Sequence, residues 1–256
     1  MNYSNIISEM TWSYSRITCF ESCPYKFLLS YIKRVPKQRL FFSDYGLFMH
    51  KLIEKFLLKE IGTDELTTEY LVNFKQEVLG KAPTQSIFKN YFSQGLRYLN
   101  NLQYPDTEPV AIERRVDFFI QDKSFIGVID RIDKNENGVS IIDNKSRALK
   151  PRSGRSKPTK SDRELDEYLR QLYMYSIPVH DIFGEYPKRL EFNCFRTDEL
   201  VSEPFSVDAL EKTKKWAIDK IDLITNNEDW SPCAEYWKCK HLCDVNHQCC
   251  YYQVNN

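Results

Sequence analysis

The strongest constraint on the fold is a pair of short segments, 125–133 and 139–145, that place carboxylates among apolar strand residues. Both are rich in β-branched residues and a short polar turn joins them, which predicts an antiparallel hairpin. Side chains alternate between the two faces of a strand. Asp143 and Lys145 therefore share one face of the second strand, and Asp130 lies on the first.

The register of this hairpin decides what the carboxylates can do. If Asp133 pairs with Ser140, Asp130 lies directly opposite Asp143, whereas a slip of one residue separates them. Facing carboxylates about 5 Å apart at Cβ repel unless a proton or a cation intervenes. Oxygen ligands suit Mg²⁺ or Mn²⁺, and Lys145 would orient water or stabilise charge during phosphodiester cleavage. A buried ion pair without chemistry is the alternative.

Composition limits the other function classes. The 256 residues carry 36 basic and 36 acidic side chains, so no global field indicates a nucleic-acid or membrane partner. No apolar run is long enough for a membrane span, and the N-terminus lacks the features of a secretory signal, which predicts a cytoplasmic protein. One stretch, 145–160, is basic throughout, and it is either a solvated loop or a loop that contacts phosphates. Its candidate DNA-binding residues are Arg147, Lys150, Arg152, Arg155, Lys157 and Lys160.

The order of periodicities predicts a mixed α/β fold. Helical patterns dominate the first hundred residues, strand patterns cover 111–120 and 189–196 beside the hairpin, and helices are predicted over 165–177 and 207–224. This order predicts a mixed sheet flanked by helices, with a helical N-terminal part and a cysteine-rich C-terminal tail.

Four short motifs together resemble the PD-(D/E)XK nuclease superfamily, in particular its RecB-like branch. They are a histidine in an N-terminal helix, a G-x-x-D segment, a D-x-K strand and a Q-x-x-x-Y helix. The resemblance implies a restriction-endonuclease-like core over 108–228, after a helical part at 13–105 and before a tail at 229–256, all in one domain. It also implies Mg²⁺ or Mn²⁺ held by His50, Asp130, Asp143, the carbonyl of Asn144 and, as an extra ligand, Glu113.

The same resemblance makes Lys145 the catalytic lysine, with Gln171 and Tyr175 holding it or a phosphate. From the residues alone, each assignment has a structural alternative. His50 would be a core histidine and Glu113 a surface charge. Gln171 would be exposed, and Tyr175 would only pack its helix.

Eight cysteines favour metal binding over disulfides in a reducing compartment. The Cys23-Pro24 segment resembles AddB-type nucleases, in which one cysteine near the start joins three near the end around a 4Fe-4S cluster. The resemblance implies such a cluster here, with Zn²⁺ or an unmetallated remnant as alternatives, because two histidines interleave with the tail thiols. The implied ligands are Cys23, Cys239, Cys243 and Cys249, with Cys250 and Cys233 as alternates, while Cys19 and Cys194 are predicted to be buried.

Together these features predict a metal-dependent DNA nuclease, an exonuclease on single strands or DNA ends. Recombination, repair or phage DNA processing is the expected setting, with a helicase or recombination protein as partner. Two alternatives stay open: a catalytically silent DNA-binding or scaffold subunit, and a restriction-type or structure-specific endonuclease. Cleavage of circular DNA would separate the last from an exonuclease.

Overall fold

The computed structural model describes residues 3–233 and 235–253. Helices α1 to α6 precede the first strand, a long helix crosses between the third and fourth strands, and three further helices follow the sheet. The elements are α1 Ser4–Ser8, α2 Tyr14–Ser22, α3 Pro24–Phe27, a π-helical turn Leu28–Ile32, α4 Phe41–Leu57, α5 Thr63–Glu77, α6 Gln85–Asn101, β1 Pro109–Ile120, β2 Lys123–Asn135, β3 Gly138–Lys145, α7 Lys160–Phe183, β4 Arg189–Cys194, β5 Glu199–Pro204, α8 Val207–Thr225, α9 Tyr236–Leu242, a 3₁₀ turn Asn246–Gln248 and α10 Cys250–Gln253.

The five strands form one mixed sheet in the order β1-β2-β3-β4-β5. All neighbours are antiparallel except β3 and β4, which are parallel and are connected through α7. A parallel pair needs such a crossover, because its connection must return to the starting edge of the sheet. The predicted mixed sheet with flanking helices is confirmed.

The sequence pattern did not predict β5. Only Val201 of this strand is buried, while Leu200 is 59% exposed, so the segment lacks the alternation that identifies a half-buried strand. It is an edge strand that pairs with β4 alone. Its existence depends on backbone pairing rather than on burial of its own side chains.

Two hydrophobic clusters support the sheet. The larger one joins the N-terminal helices, the sheet, α7 and α8 around side chains such as Trp12, Phe27 and Phe192. The second lies among α4, α5 and α6 and is closed by Phe195, which follows β4. Helix α4 therefore belongs to a separate cluster but contacts β1, which brings it beside the hairpin. None of the described helices combines the length and the apolar character needed to cross a bilayer.

Candidate active site

The hairpin forms in the register that places the two aspartates side by side. Asp133 pairs with Ser140, the first of the two registers that the sequence left open, and the ladder between β2 and β3 runs to the pair of Arg131 with Ile142. Beyond this pair a side chain replaces the backbone pairing: Asp130 Oδ2 accepts the backbone N–H of Asn144 at 2.6 Å. This bond fixes the carboxylate of Asp130 beside β3, at the point where Asp143 follows Ile142.

Both aspartates are buried, with 8% of Asp130 and 3% of Asp143 exposed. Burial, followed by the negative charge of Asp143, raises the pKa of Asp130 to about 7. Asp143 Oδ2 lies 2.7 Å from Lys145 Nζ in an ion pair. Two neighbouring buried carboxylates with one lysine beside them are an environment that a further cation would stabilise.

His50 reaches this centre from α4 with both ring nitrogens engaged. Nε2 lies 3.0 Å from the backbone oxygen of Asn144, so in the matching tautomer it donates to that carbonyl. Nδ1 then faces the carboxylates, 3.4 Å from Asp130 Oδ2 and 3.8 Å from Glu113 Oε1. Burial lowers the pKa of His50, but the Glu113 hydrogen bond and the nearby carboxylates outweigh burial and raise the pKa above its usual value.

Ligand atoms of His50, Glu113 and Asp130 all lie within 4.8 Å of one another, in an arrangement that could hold a metal ion. A histidine that binds a metal commonly donates its other ring N–H to a carbonyl, which is the bond seen between His50 and Asn144. Three of the predicted metal residues, His50, Glu113 and Asp130, form this group, while Asp143 lies beside Asp130 and is ion-paired with Lys145. The Asn144 carbonyl lies beside the same group, although His50 already occupies one of its acceptor positions.

Glu113 reaches the centre through an irregular backbone. Its φ of +44° lies in the left-handed region, which costs a residue with a side chain about 1–3 kcal/mol. At Glu113 the side chains that face the larger cluster change from odd to even positions of β1. Ala111 packs on this cluster before Glu113, and Val116 and Phe118 pack on it after Glu113. This local switch breaks the regular alternation of the strand at the residue whose carboxylate faces His50.

Lys145 is held by a short chain of side chains. Its Nζ donates to Gln171 Oε1 at 2.9 Å, and Gln171 Nε2 donates to the hydroxyl of Tyr175 at 3.2 Å. Burial opposes the charge on Lys145, but Asp143 raises its pKa above the usual value. Gly127 lies under Tyr175, because a Cβ at this glycine would be 2.3 Å from Tyr175 Cε1. The structure thus brings these predicted site residues together.

Asn193 of β4 is a contributor that the sequence analysis missed. Its Nδ2 donates to Asn144 Oδ1 at 2.7 Å and also lies 2.7 Å from the hydroxyl of Tyr98. The amide therefore fixes Asn144, whose backbone contacts both His50 and Asp130. An asparagine between Phe192 and Cys194 in an apolar strand was the available signal, since a polar side chain in such a place needs partners.

The basic residues after Lys145 do not form one surface. Arg147 is ion-paired with Glu164. Arg152 contacts Asp166 and Glu203 at 2.8 Å each, and so links the stretch to α7 and β5. Lys160 begins α7. The remaining three are exposed, and no ion pair engages them in the described part of the chain: Lys150, Arg155 and Lys157.

Four of the predicted cysteine ligands line one cavity of about 150 Å³ between α3 and the C-terminal tail. They are Cys23, Cys239, Cys243 and Cys249.

The two alternates do not line this cavity. Cys233 is exposed and donates to the backbone oxygen of Ser22, while Cys250 is exposed and hydrogen-bonded to Tyr25. Cys194 is buried, as predicted, and Cys19 is only half-buried. Burial raises the thiol pKa of Cys239 and the other two tail cysteines that line the cavity. Without a cation these thiols therefore stay protonated at neutral pH.

Comparisons with known proteins agree with this geometry. The family model of the PD-(D/E)XK nuclease superfamily matches residues 11–250. A solved structure from Eubacterium rectale, named "putative exonuclease", superposes with a TM-score of 0.52 at 13% identity, covering 99% of this chain and 91% of that chain. At this identity the likeness shows the fold alone. The structure of the protein SSO0001 matches with a TM-score of 0.31 at 18% identity over 92% of this chain and 97% of that one, and this TM-score is too low to indicate a shared fold.

None of the curated proteins matches the chain in sequence. The family match nevertheless extends over nearly all of the chain and includes the D-x-K strand, the glutamine–tyrosine helix and the histidine of α4. The mixed sheet with flanking helices that carries these residues is the fold expected for that family. The chain therefore belongs to the PD-(D/E)XK nuclease superfamily.

Proposed function

We propose that this protein is a DNA nuclease that depends on Mg²⁺ or Mn²⁺ and that acts as an exonuclease on single strands or DNA ends. The observation that carries the proposal is the buried centre in which Asp130, Asp143 and Lys145 meet beside His50 and Glu113. A structural ion pair would need only Lys145 and one aspartate. The additional carboxylates and the imidazole are the oxygen and nitrogen donors that a divalent ion would use.

The donor set fits a hard or borderline divalent ion. Asp130 and Glu113 offer carboxylate oxygens and His50 offers Nδ1, all within 4.8 Å of one another. We propose that Asp143, which lies beside Asp130, and the carbonyl of Asn144 add further oxygens. Burial and the charge of Asp143 raise the pKa of Asp130, so its ionised form is disfavoured unless a cation compensates it. A bound ion would supply Lewis-acid activation of the scissile phosphodiester.

Lys145 has a defined place in this chemistry. An ammonium group has three N–H donors. Asp143 and Gln171 engage two of them, so a third is left for a water or for a phosphate oxygen. We propose that Lys145 orients the attacking water or stabilises the charge that develops on the phosphate. Gln171 and Tyr175 would act as positioning residues, because they reach the substrate only through Lys145.

The cysteine cavity supports the RecB-like, AddB-type branch and a 4Fe-4S cluster. Around one Zn²⁺ at about 2.3 Å, four sulfurs lie about 4 Å apart. Among the described residues no group of three cysteine or histidine ligand atoms fits within 4.8 Å at this cavity. The wider spacing and the volume of about 150 Å³ suit a cluster better than a single ion. We propose Cys23, Cys239, Cys243 and Cys249 as its ligands, within one nuclease domain that runs from 1 to 256.

Cleavage of labelled DNA tests the catalytic proposal. Linear and circular single strands are incubated with Mg²⁺, Mn²⁺ or EDTA, and the products are separated by length. We expect metal-dependent shortening of the linear strand and its loss in Asp143→Ala. Asp117→Ala, an exposed aspartate of β1, serves as the matched control. Full activity of Asp143→Ala would refute the assignment, binding without cleavage would favour a silent subunit, and cutting of circles would favour an endonuclease.

Metal analysis of adjacent cysteine variants tests the cluster. The protein is purified without oxygen, and its optical spectrum, iron, sulfide and zinc contents are measured. We expect Cys249→Ser to lose iron and the visible absorption, while Cys250→Ser keeps both, because only Cys249 lines the cavity. Zinc in the wild-type protein, or equal loss in both variants, would contradict the assignment.

A further inference from the structure

Two grooves of opposite charge flank the candidate active site. One runs along α4 past His50 and Glu113, and its lining includes five acidic and three basic side chains. The other lies between α2, α7 and α8, has a volume of about 870 Å³, and is lined by five basic and three acidic side chains. The acidic groove suits cations, whereas the basic groove suits a polyanion. The basic side chains of this second groove, called here the α7 groove, are Arg147, Lys160, Arg163, Arg170 and Lys220.

One wall of the α7 groove lies beside Lys145. Tyr168 lines it, and the ring of Tyr168 lies 5.7 Å from Lys145 Nζ and 6.0 Å from the guanidinium of Arg147. A chain lying in the groove would therefore pass from Tyr168 directly to the centre where Asp143 contacts Lys145.

Three of the five cations of the α7 groove are available to a ligand. The other two are compensated inside the protein, since Arg147 is ion-paired with Glu164 and Lys220 lies 2.9 Å from Glu21. Within the described residues no carboxylate pairs with the three others. These are Lys160, Arg163 and Arg170.

An aromatic platform stands beside these charges. The ring of Trp216 is half-buried, the guanidinium of Arg170 lies 4.6 Å from its centroid, and Tyr14 lies 6.2 Å away. The indole N–H is already engaged with Glu21. The ring is thus fixed in place and partly exposed beside cations, the combination on which the bases and phosphates of a single strand bind.

Resting on the nuclease function proposed above, we propose that the α7 groove binds the single-stranded segment of the substrate that lies next to the scissile phosphodiester. Lys160, Arg163 and Arg170 contact its phosphates, and one base stacks at Trp216. A single strand fits better than a duplex, because the bases of a duplex are already stacked on each other and cannot reach an indole face. The groove thereby directs the strand along α7 and away from the acidic groove of α4.

The first test measures binding without cleavage. Fluorescence anisotropy of a labelled oligothymidylate of about 15 nucleotides is followed in EDTA at several salt concentrations. We expect Trp216→Leu to raise Kd about 5- to 100-fold, as the loss of one stacked base does. Arg170→Gln and Lys160→Gln should each lower the slope of log Kd against log salt by about 0.7. Lys212→Gln, which removes a charge from α8 outside the groove, should bind like the wild type.

The second test separates the groove from the chemistry. A small chromogenic phosphodiester is too short to occupy the groove. Arg170→Gln and Lys160→Gln should therefore raise the KM for the oligonucleotide more than the KM for the small ester, while Lys212→Gln should act on both substrates like the wild type. The proposal would be overturned if the three groove variants bound the oligothymidylate as tightly as Lys212→Gln does. These variants are Arg170→Gln, Lys160→Gln and Trp216→Leu. Weakened binding in a protein that cleaves neither substrate would uphold the groove and refute the nuclease function.

Discussion

Asp130→Asn should stabilise the metal-free protein while removing its response to metal. Burial and Asp143 raise the pKa of Asp130 from 3.8 to about 7. A rise of this size corresponds to about 4 kcal/mol against the ionised form. Asparagine has the same shape, can still accept the Asn144 N–H that Asp130 accepts at 2.6 Å, and carries no charge. His50 loses a favourable charged neighbour, which offsets part of this stabilisation. We therefore expect the unfolding free energy of Asp130→Asn to exceed that of the wild type by about 1–4 kcal/mol above pH 7.

The pH dependence of this gain gives the sharper test. The pKa of Asp130 is higher in the folded state than in the unfolded state, so ionisation lowers stability as the pH rises from about 4 to about 7. The unfolding free energy of the wild type therefore contains a decrease over this pH window that comes from Asp130. This decrease is absent in Asp130→Asn. The difference between the two should be largest near pH 8 and should fall to about half near pH 5.5.

Urea denaturation in EDTA near pH 5.5 and near pH 8 measures the difference in unfolding free energy between Asp130→Asn and the wild type. The control is Asp117→Asn, whose side chain is 68% exposed and which should change stability by less than about 0.5 kcal/mol. Mn²⁺ should then stabilise the wild type by mass action and leave Asp130→Asn unchanged. Two results would refute the reasoning. One is an Asp130→Asn protein that is less stable than the wild type in EDTA near pH 8, and the other is a stability difference between the two proteins that is the same at both pH values.

Three further substitutions test the surroundings of the centre. Gly127→Ala should displace Tyr175, since its Cβ would lie 2.3 Å from that ring, and both kcat and the melting temperature should fall; an unchanged kcat would show that Tyr175 does not position the lysine. Glu113→Gln should weaken Mn²⁺ binding at least about tenfold by calorimetry, and wild-type affinity would remove Glu113 from the site. Asn193→Ala should lower kcat more than it raises KM, because it frees Asn144, and an effect on KM alone would contradict this.

Much of the candidate site was accessible from the sequence because its signals are local. A period of two along each strand limits the consequences to two registers, and the structure has the one in which Asp133 pairs with Ser140. A spacing of four places Gln171 and Tyr175 on one face of a helix, where they hydrogen-bond.

Other features depend on contacts between distant segments, which no local pattern encodes. The phase change at Glu113 appears only in the folded backbone, where φ is +44°. Acids far along the chain, such as Glu203, pair with Arg152 and remove it from the set of cations available to DNA. The strand β5 was missed because edge pairing requires β4, not an apolar pattern of its own.

The sequence by itself determined the family, the strand that carries Asp143 and Lys145, and the cysteine-rich ends of the chain, because motif order and short-range periodicity are written along the chain. Only the tertiary structure decided which four cysteines share a cavity and on which side of the centre the unpaired cations and Trp216 meet. Those choices are made by packing between segments more than 200 residues apart, as between Cys23 and Cys249. Sequence spacing over such a distance sets no geometry until the helices and the sheet have packed together.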